Sequence, residues 1–130
     1  MERFCWICLA GAAGTGTRYL VGVWAARSLG LGFPYGTLIV NVGGCFLIAL
    51  VMQTALGLGT AMPENLRLAL TAGFMGGLTT YSSFAYETTR LAQDGSRGAA
   101  LLNFALTTAA CFLAVIAGLA LPRQIGRAHV

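Results

Sequence analysis

The chain has 130 residues, of which 57% are hydrophobic and only 9% charged, and its mean hydropathy is +0.75. Soluble domains carry roughly 25% charged residues, so eight basic and four acidic side chains cannot clothe a soluble fold of this size. That excludes an ordinary cytosolic enzyme, a disordered tail and a disulfide-stapled secreted domain. The net charge of +4 comes from scattered arginines with no lysine, which gives no basic patch and predicts no nucleic-acid partner.

Taken in chain order, uncharged runs predict an all-α membrane protein with four transmembrane helices in one domain, residues 1–130. Each run is long enough for a helix of ~20 residues to cross the hydrocarbon core. The first span covers about 4–26 and carries one internal charge, Arg18. It is too long for a cleaved signal peptide and has an arginine in its body. Gly30, Gly32 and Pro34 end it, and a second span follows over about 35–57. Gly57, Gly59 and Pro63 mark the next turn, with Pro63 and Glu64 suited to a helix start. The third span runs over about 64–93 with a break near 76–80. Asp94, Gly95, Ser96 and Arg97 form the last turn, and a fourth span, about 98–121, is expected to stop at Pro122.

Basic loop residues orient membrane proteins, and here they scarcely choose. Arg3, Arg67, Arg123 and Arg127 fall on one side, and Arg27, Arg90 and Arg97 on the other. The near balance predicts insertion in both orientations and antiparallel pairing, the inverted-repeat plan that larger transporters encode in one chain.

Polar side chains inside the spans form stripes at helical spacing. Thr37, Asn41 and Cys45 share a face of the second helix, Asn103, Thr107 and Cys111 a face of the fourth, and Ala10, Gly14, Arg18 and Gly22 a face of the first. Threonine and glycine commonly serve as packing glue between helices. Membrane-depth asparagines need partners, because an unmet amide in lipid costs several kcal/mol. The third span holds Gly73-Phe74-Met75-Gly76-Gly77-Leu78-Thr79-Thr80-Tyr81-Ser82-Ser83-Phe84. Paired glycines followed by hydroxyl residues propagate a helix poorly. A break there would free carbonyls that two antiparallel copies could aim at one hard cation such as Na⁺. Tyr81 and Phe84, three apart, are expected to point the same way. A path of Asn, Thr and Ser donors with Arg18 and no carboxylate, Glu87 coming only at the polar end of the third helix, suits an anion better than a cation. The four cysteines are read as inert small hydrophobes.

Enzyme motifs fail. Gly11 to Thr17 has a phosphate-loop rhythm, but Thr17 stands where the lysine must be, and Gly14-x-Gly16 lacks the third glycine of a dinucleotide fingerprint. His129 has no catalytic partner at a suggestive spacing. No enzymatic activity is expected.

Gly14-Thr15-Gly16-Thr17-Arg18-Tyr19, Gly36-Thr37-Leu38-Ile39-Val40-Asn41-Val42-Gly43-Gly44 and the Gly73–Phe84 run together resemble the three signature blocks of the Fluc (CrcB) fluoride channel family. The resemblance covers essentially the whole chain. It implies a multi-pass protein of the cell inner membrane, an antiparallel dual-topology homodimer with two fluoride pores and a central structural Na⁺, exporting cytoplasmic fluoride passively. Asn41 would hydrogen-bond fluoride, with Thr37 one turn away. Tyr81 and Phe84 would line the pore with their rings, and Thr80 and Ser83 with hydroxyls. Asn103, Thr107 and Cys111 would form the polar track, and Arg18 would sit at the vestibule. The backbone carbonyls of Gly76 and Thr79 from both copies would hold Na⁺. Tyr81 departs from the family's usual phenylalanine, and Cys111 from its usual hydroxyl. A small multidrug-type proton-coupled exporter would need a carboxylate in the first helix, where Arg18 is the only charge. A structural subunit of a membrane complex would support no flux alone.

Overall fold

The computed structural model describes residues 1–57 and 62–127. Among these the fold is all-helical, with no strand. Helix α1 spans Glu2–Leu29, with Glu2 in its first turn and Arg27 in its last, each charge opposing the helix dipole. Gly30 ends it at φ 88°, a conformation that only glycine adopts cheaply. Helix α2 spans Tyr35–Gly57. Gly59 lies outside the described residues.

The third stretch begins as α3, Glu64–Leu68, after Pro63 at the N-cap. It widens into a π-helical segment, Ala69–Met75, where the Gly76 N–H reaches back five residues to Thr71 O. It closes as α4, Gly76–Leu78. Thr79 (φ −82°, ψ 153°) and Thr80 (φ −152°, ψ 107°) are extended, and α5 restarts at Tyr81 and runs to Gln93. The paired glycines therefore stay helical, and the chain leaves the helix two residues later. Gly77 explains why: a Cβ there would press against the Gly11 carbonyl and lie 3.0 Å from Thr15 N, so Gly77 serves close contact with α1 and not the interruption. A turn with Gly95 at φ 87° leads to α6, Arg97–Arg127. Pro122 does not stop this helix, contrary to the sequence expectation. A proline removes one backbone rung and crowds the carbonyl four residues back, and here α6 continues five residues beyond it.

Packing follows from small residues. Helix α1 lies against the π-helical segment and α4, α2 against α6, and α5 against α6. At the α2–α6 crossing a Cβ on Gly118 would come 2.9 Å from the Ala49 Cβ. The buried apolar side chains are few and include Val40, Met75, Leu78 and Phe84. The large ones face outward: Trp6, Trp24, Phe112, Leu113 and Ile116 are each more than half exposed. Tyr35–Ala55 and Arg97–Leu121 are long and apolar enough to cross a membrane, and only 22% and 11% of their most apolar windows are buried. The core helix of a soluble protein would be mostly buried, so these two helices read as lipid- or partner-facing. Helix α1, at 28 residues, is diluted by Arg18 and its glycines, and the third stretch is divided.

Candidate functional site

The extended pair Thr79–Thr80 forfeits helix hydrogen bonds, and a residue 39 positions away replaces them. Asn41 Oδ1 accepts from Thr80 N at 2.7 Å, and Asn41 Nδ2 donates to Thr80 O at 3.1 Å. The amide thus clamps the N–H and the C=O of one residue, in the two consecutive peptide groups that flank the Thr80 Cα, while 8% exposed. The Thr80 hydroxyl then N-caps α5, accepting from Ser83 N at 3.2 Å and donating to Ser83 Oγ at 3.0 Å. Threonine suits that position because an extended backbone aims its oxygen at the free N–H groups of the next turn.

Beside this clamp lies a groove of about 440 Å³. Asn41, Gly76, Thr79, Thr80, Tyr81, Phe84 and Thr107 line it, together with Cys45 and Cys111. Phe84 is 6% exposed and Tyr81 is 79% exposed, so the two rings share the groove but not an environment. Their centroids are 5.7 Å apart at 56°, which sets ring edge toward ring face. Phe104 of α6 stacks on Phe84 at 6.2 Å. The groove therefore carries amide and hydroxyl groups beside aromatic rings, and among the described residues no charged side chain lines it.

The remaining sequence candidates fall elsewhere. Thr37 lies on a neighbouring cavity of about 370 Å³, with Glu87, Arg90 and Asp94. Its hydroxyl donates to Glu87 Oε1 at 2.9 Å, and Glu87 Oε2 is buried with no hydrogen-bond partner among the described residues. Glu87, expected at the polar end of the third span, is turned inward by α5 toward Thr37, one turn from Asn41, and lines this neighbouring cavity and not the groove. Asn103, 1% exposed, does not reach the groove wall. It accepts from Thr107 Oγ1 at 3.2 Å and donates to Thr88 Oγ1 at 2.8 Å, and Thr88 donates to Phe84 O at 2.7 Å. This chain of donors ties α6 to α5 and fixes the backbone that carries Phe84. Ser83 is spent on the Thr80 cap. Arg18 is half-buried on α1, borders neither cavity and makes no ion pair among the described residues.

Gly76 is exposed and Thr79 half-buried on the groove side. The usual donor to Gly76 O would be Thr80 N–H, which goes to Asn41 instead. Likewise Ser83 N–H, the usual donor to Thr79 O, goes to the Thr80 hydroxyl. Sequence reasoning missed Thr88, Phe104 and the inward turn of Glu87. Only Glu87 had a visible signal, as an acid on a helix flanked by hydroxyl residues.

A family model described as "CrcB-like protein, Camphor Resistance (CrcB)" matches residues 5–119. The chain belongs to the CrcB-like family. Among its CrcB-like relatives, a protein of Anaeromyxobacter sp. (strain K) named "Fluoride-specific ion channel FluC" is 48% identical over 125 residues, 96% of this chain and 98% of the relative. A protein of Sorangium cellulosum with the same name is 46% identical, again over 96% and 98% of the two chains. One of Geobacter metallireducens, also so named, is 45% identical over 119 residues, 92% of this chain and 95% of the relative.

Proposed function

We propose that the chain is a fluoride-selective channel of the cell inner membrane that lets cytoplasmic fluoride leave passively down its electrochemical gradient. The observation that carries this reading is the groove in which Asn41, Thr80 and Thr107 meet the Phe84 and Tyr81 rings, with no charged side chain among its described residues. Fluoride is small and holds its water tightly, so a path must replace that shell with several short hydrogen bonds. Each side chain on the wall has a specific capacity. Asn41 keeps one amide proton beyond the one given to Thr80 O. Phenyl edges are electropositive, so the Phe84 ring gives the anion a favourable but weak contact. Weak, repeated contacts are what conduction requires, since an ion held too well does not leave. Glu87 and Thr37 stand at the neighbouring cavity, where the carboxylate holds the threonine hydroxyl in a fixed direction.

Each chain contributes a groove to an antiparallel dimer with two paths, one copy inverted relative to the other. The apolar outer faces of α2 and α6 are available to lipid and to the second copy. Gly76 O and Thr79 O have lost their helix donors, and neutral hard oxygens of this kind suit Na⁺. Two such oxygens from one chain are too few for a hard cation, and a second copy across a two-fold axis supplies the rest. When bound, Na⁺ supplies a positive charge that balances converging carbonyl dipoles and joins the two breaks.

The test is release of fluoride from liposomes after addition of a potassium ionophore, run beside chloride. Fluoride release without chloride release is expected. Absence of fluoride release from well-folded protein sinks the proposal and favours a structural subunit.

A further inference from the structure

Trp6 and Trp24, the chain's two tryptophans, both stand on α1 and are each more than half exposed. They lie roughly five turns apart, so they share one line along the helix at a separation of ~27 Å. That is close to the ~30 Å thickness of a bilayer's hydrocarbon core. Ala13, Thr17 and Leu20 fall on the line between them, and no charged side chain does. Thr17, the one hydroxyl there, donates to Ala13 O at 2.9 Å, so it presents no unmet donor to acyl chains. Packing uses another side of α1. Gly11 and Gly14 lie against Gly73 and Phe74, Ala25 is buried, and Arg18 falls on that side, about a third of a turn from the tryptophans. Polar groups resume at both ends of the line. Beyond Trp6, whose Nε1 donates to Glu2 Oε1 at 3.4 Å, Arg3 pairs with Glu64. Beyond Trp24, Arg27 is exposed and makes no ion pair among the described residues. Indoles settle at the headgroup level, with the ring in an apolar setting and the N–H wet.

We propose that this line of α1 is a lipid-contact seam whose two indoles sit at the two headgroup levels, and that Arg27 beside Trp24 holds the phosphate of an anionic phospholipid. Trp24 and Arg27 are three residues apart and therefore neighbours on the helix surface. A guanidinium matches a phosphate with two parallel hydrogen bonds, and an unpaired cation at that level draws a net-negative headgroup more than a zwitterionic one. The second copy is thereby left the groove side of the chain. The proposal rests on the membrane reading above and not on fluoride conduction.

Tryptophan fluorescence reads this seam and nothing else in the chain. Full chains carrying Trp6→Phe or Trp24→Phe, each with one indole left, are reconstituted in phosphatidylcholine vesicles brominated either high on the acyl chain or near its end. Each indole should be quenched about twofold more by the shallow bromines, and the unsubstituted chain should show the same preference should a variant misfold. Stronger quenching by the deep bromines overturns the seam. Quenching by neither overturns it too, and places the face against another copy. For the headgroup, brominated phosphatidylglycerol is compared with brominated phosphatidylcholine at equal mole fraction. Trp24 should be quenched about twofold more by the anionic lipid and Trp6 equally by both. Arg27→Gln should erase the difference at Trp24. No preference at Trp24, or one that survives Arg27→Gln, overturns the headgroup contact. Flotation of the vesicles separates the failures: protein that does not float with lipid overturns the membrane reading together with the seam. Floating protein that shows the shallow quenching but releases no fluoride supports the seam and counts against the channel reading alone.

Discussion

At the scale of single residues, the site is decided by which hydrogen bonds are already spent. Asn41 uses its carbonyl oxygen on the Thr80 N–H and one amide proton on the Thr80 C=O, so it shapes the break as well as facing the groove. Removing it orphans a buried N–H and a buried C=O, each worth about 1–3 kcal/mol. Asn41→Ala is expected to lower stability by about 2–4 kcal/mol in detergent unfolding and to abolish fluoride release. Asn41→Asp keeps the acceptor for Thr80 N–H but sets a carboxylate against Thr80 O, and flux should be lost there too. Tyr81 is different. It is largely exposed, and among the described residues its hydroxyl makes no hydrogen bond. Tyr81→Phe should leave both melting temperature and fluoride release near those of the parent. Phe84→Ile, which removes a ring packed between Tyr81 and Phe104, should cut release steeply; the opposite ranking of these two variants would overturn the assignment of the rings.

At the scale of elements, the all-helical architecture and the interruption of the third stretch were legible because they follow from local chemistry. Uncharged runs of sufficient length and a glycine–threonine–serine sequence need no tertiary information to interpret. What holds the interruption was not legible, since Gly77 stays helical under pressure from α1 while Thr80 leaves the helix to meet Asn41. That pairing spans 39 positions and leaves no mark on local spacing. The stripe at Thr37, Asn41 and Cys45 was visible as one face, yet it serves two cavities, because α5 approaches only its N-terminal end. Of the Asn103 stripe, read as lining, Thr107 and Cys111 lie on the groove while Asn103 is a tie between α6 and α5. Asn103→Leu tests the tie: it strands the Thr107 hydroxyl and takes away the donor to Thr88, whose hydroxyl keeps its bond to Phe84 O, and a loss of about 1–3 kcal/mol in stability is expected. Gly77→Val tests the crossing. Its branched side chain meets the Gly11 carbonyl, and separation of α1 from α4, read as loss of a folded elution peak, is the expected outcome.

At the scale of the molecule, the chain is turned inside out relative to a soluble domain. Its tryptophans and most of its large aliphatic side chains point away from the interior. Antiparallel pairing is tested by cross-linking: single cysteines placed at Gly76, in a chain otherwise free of cysteine, should join two copies, whereas exclusively monomeric protein in a mild detergent speaks against the pair. Preparation in choline salts should yield fluoride release well below that of protein prepared in Na⁺, with recovery on Na⁺ addition. Equal release under both conditions would argue that Gly76 O and Thr79 O hold no cation.

The π-helical segment Ala69–Met75 has an azimuthal consequence. An added or removed residue turns everything downstream by ~100° about the rod axis. The widened turn therefore works as an indexing device that decides which compass bearing Thr79 and the α5 aromatics take. Deleting one residue of the widened turn, such as Ala72, should leave a rod of nearly the same length, with its rings swung away from α6 and toward the acyl chains.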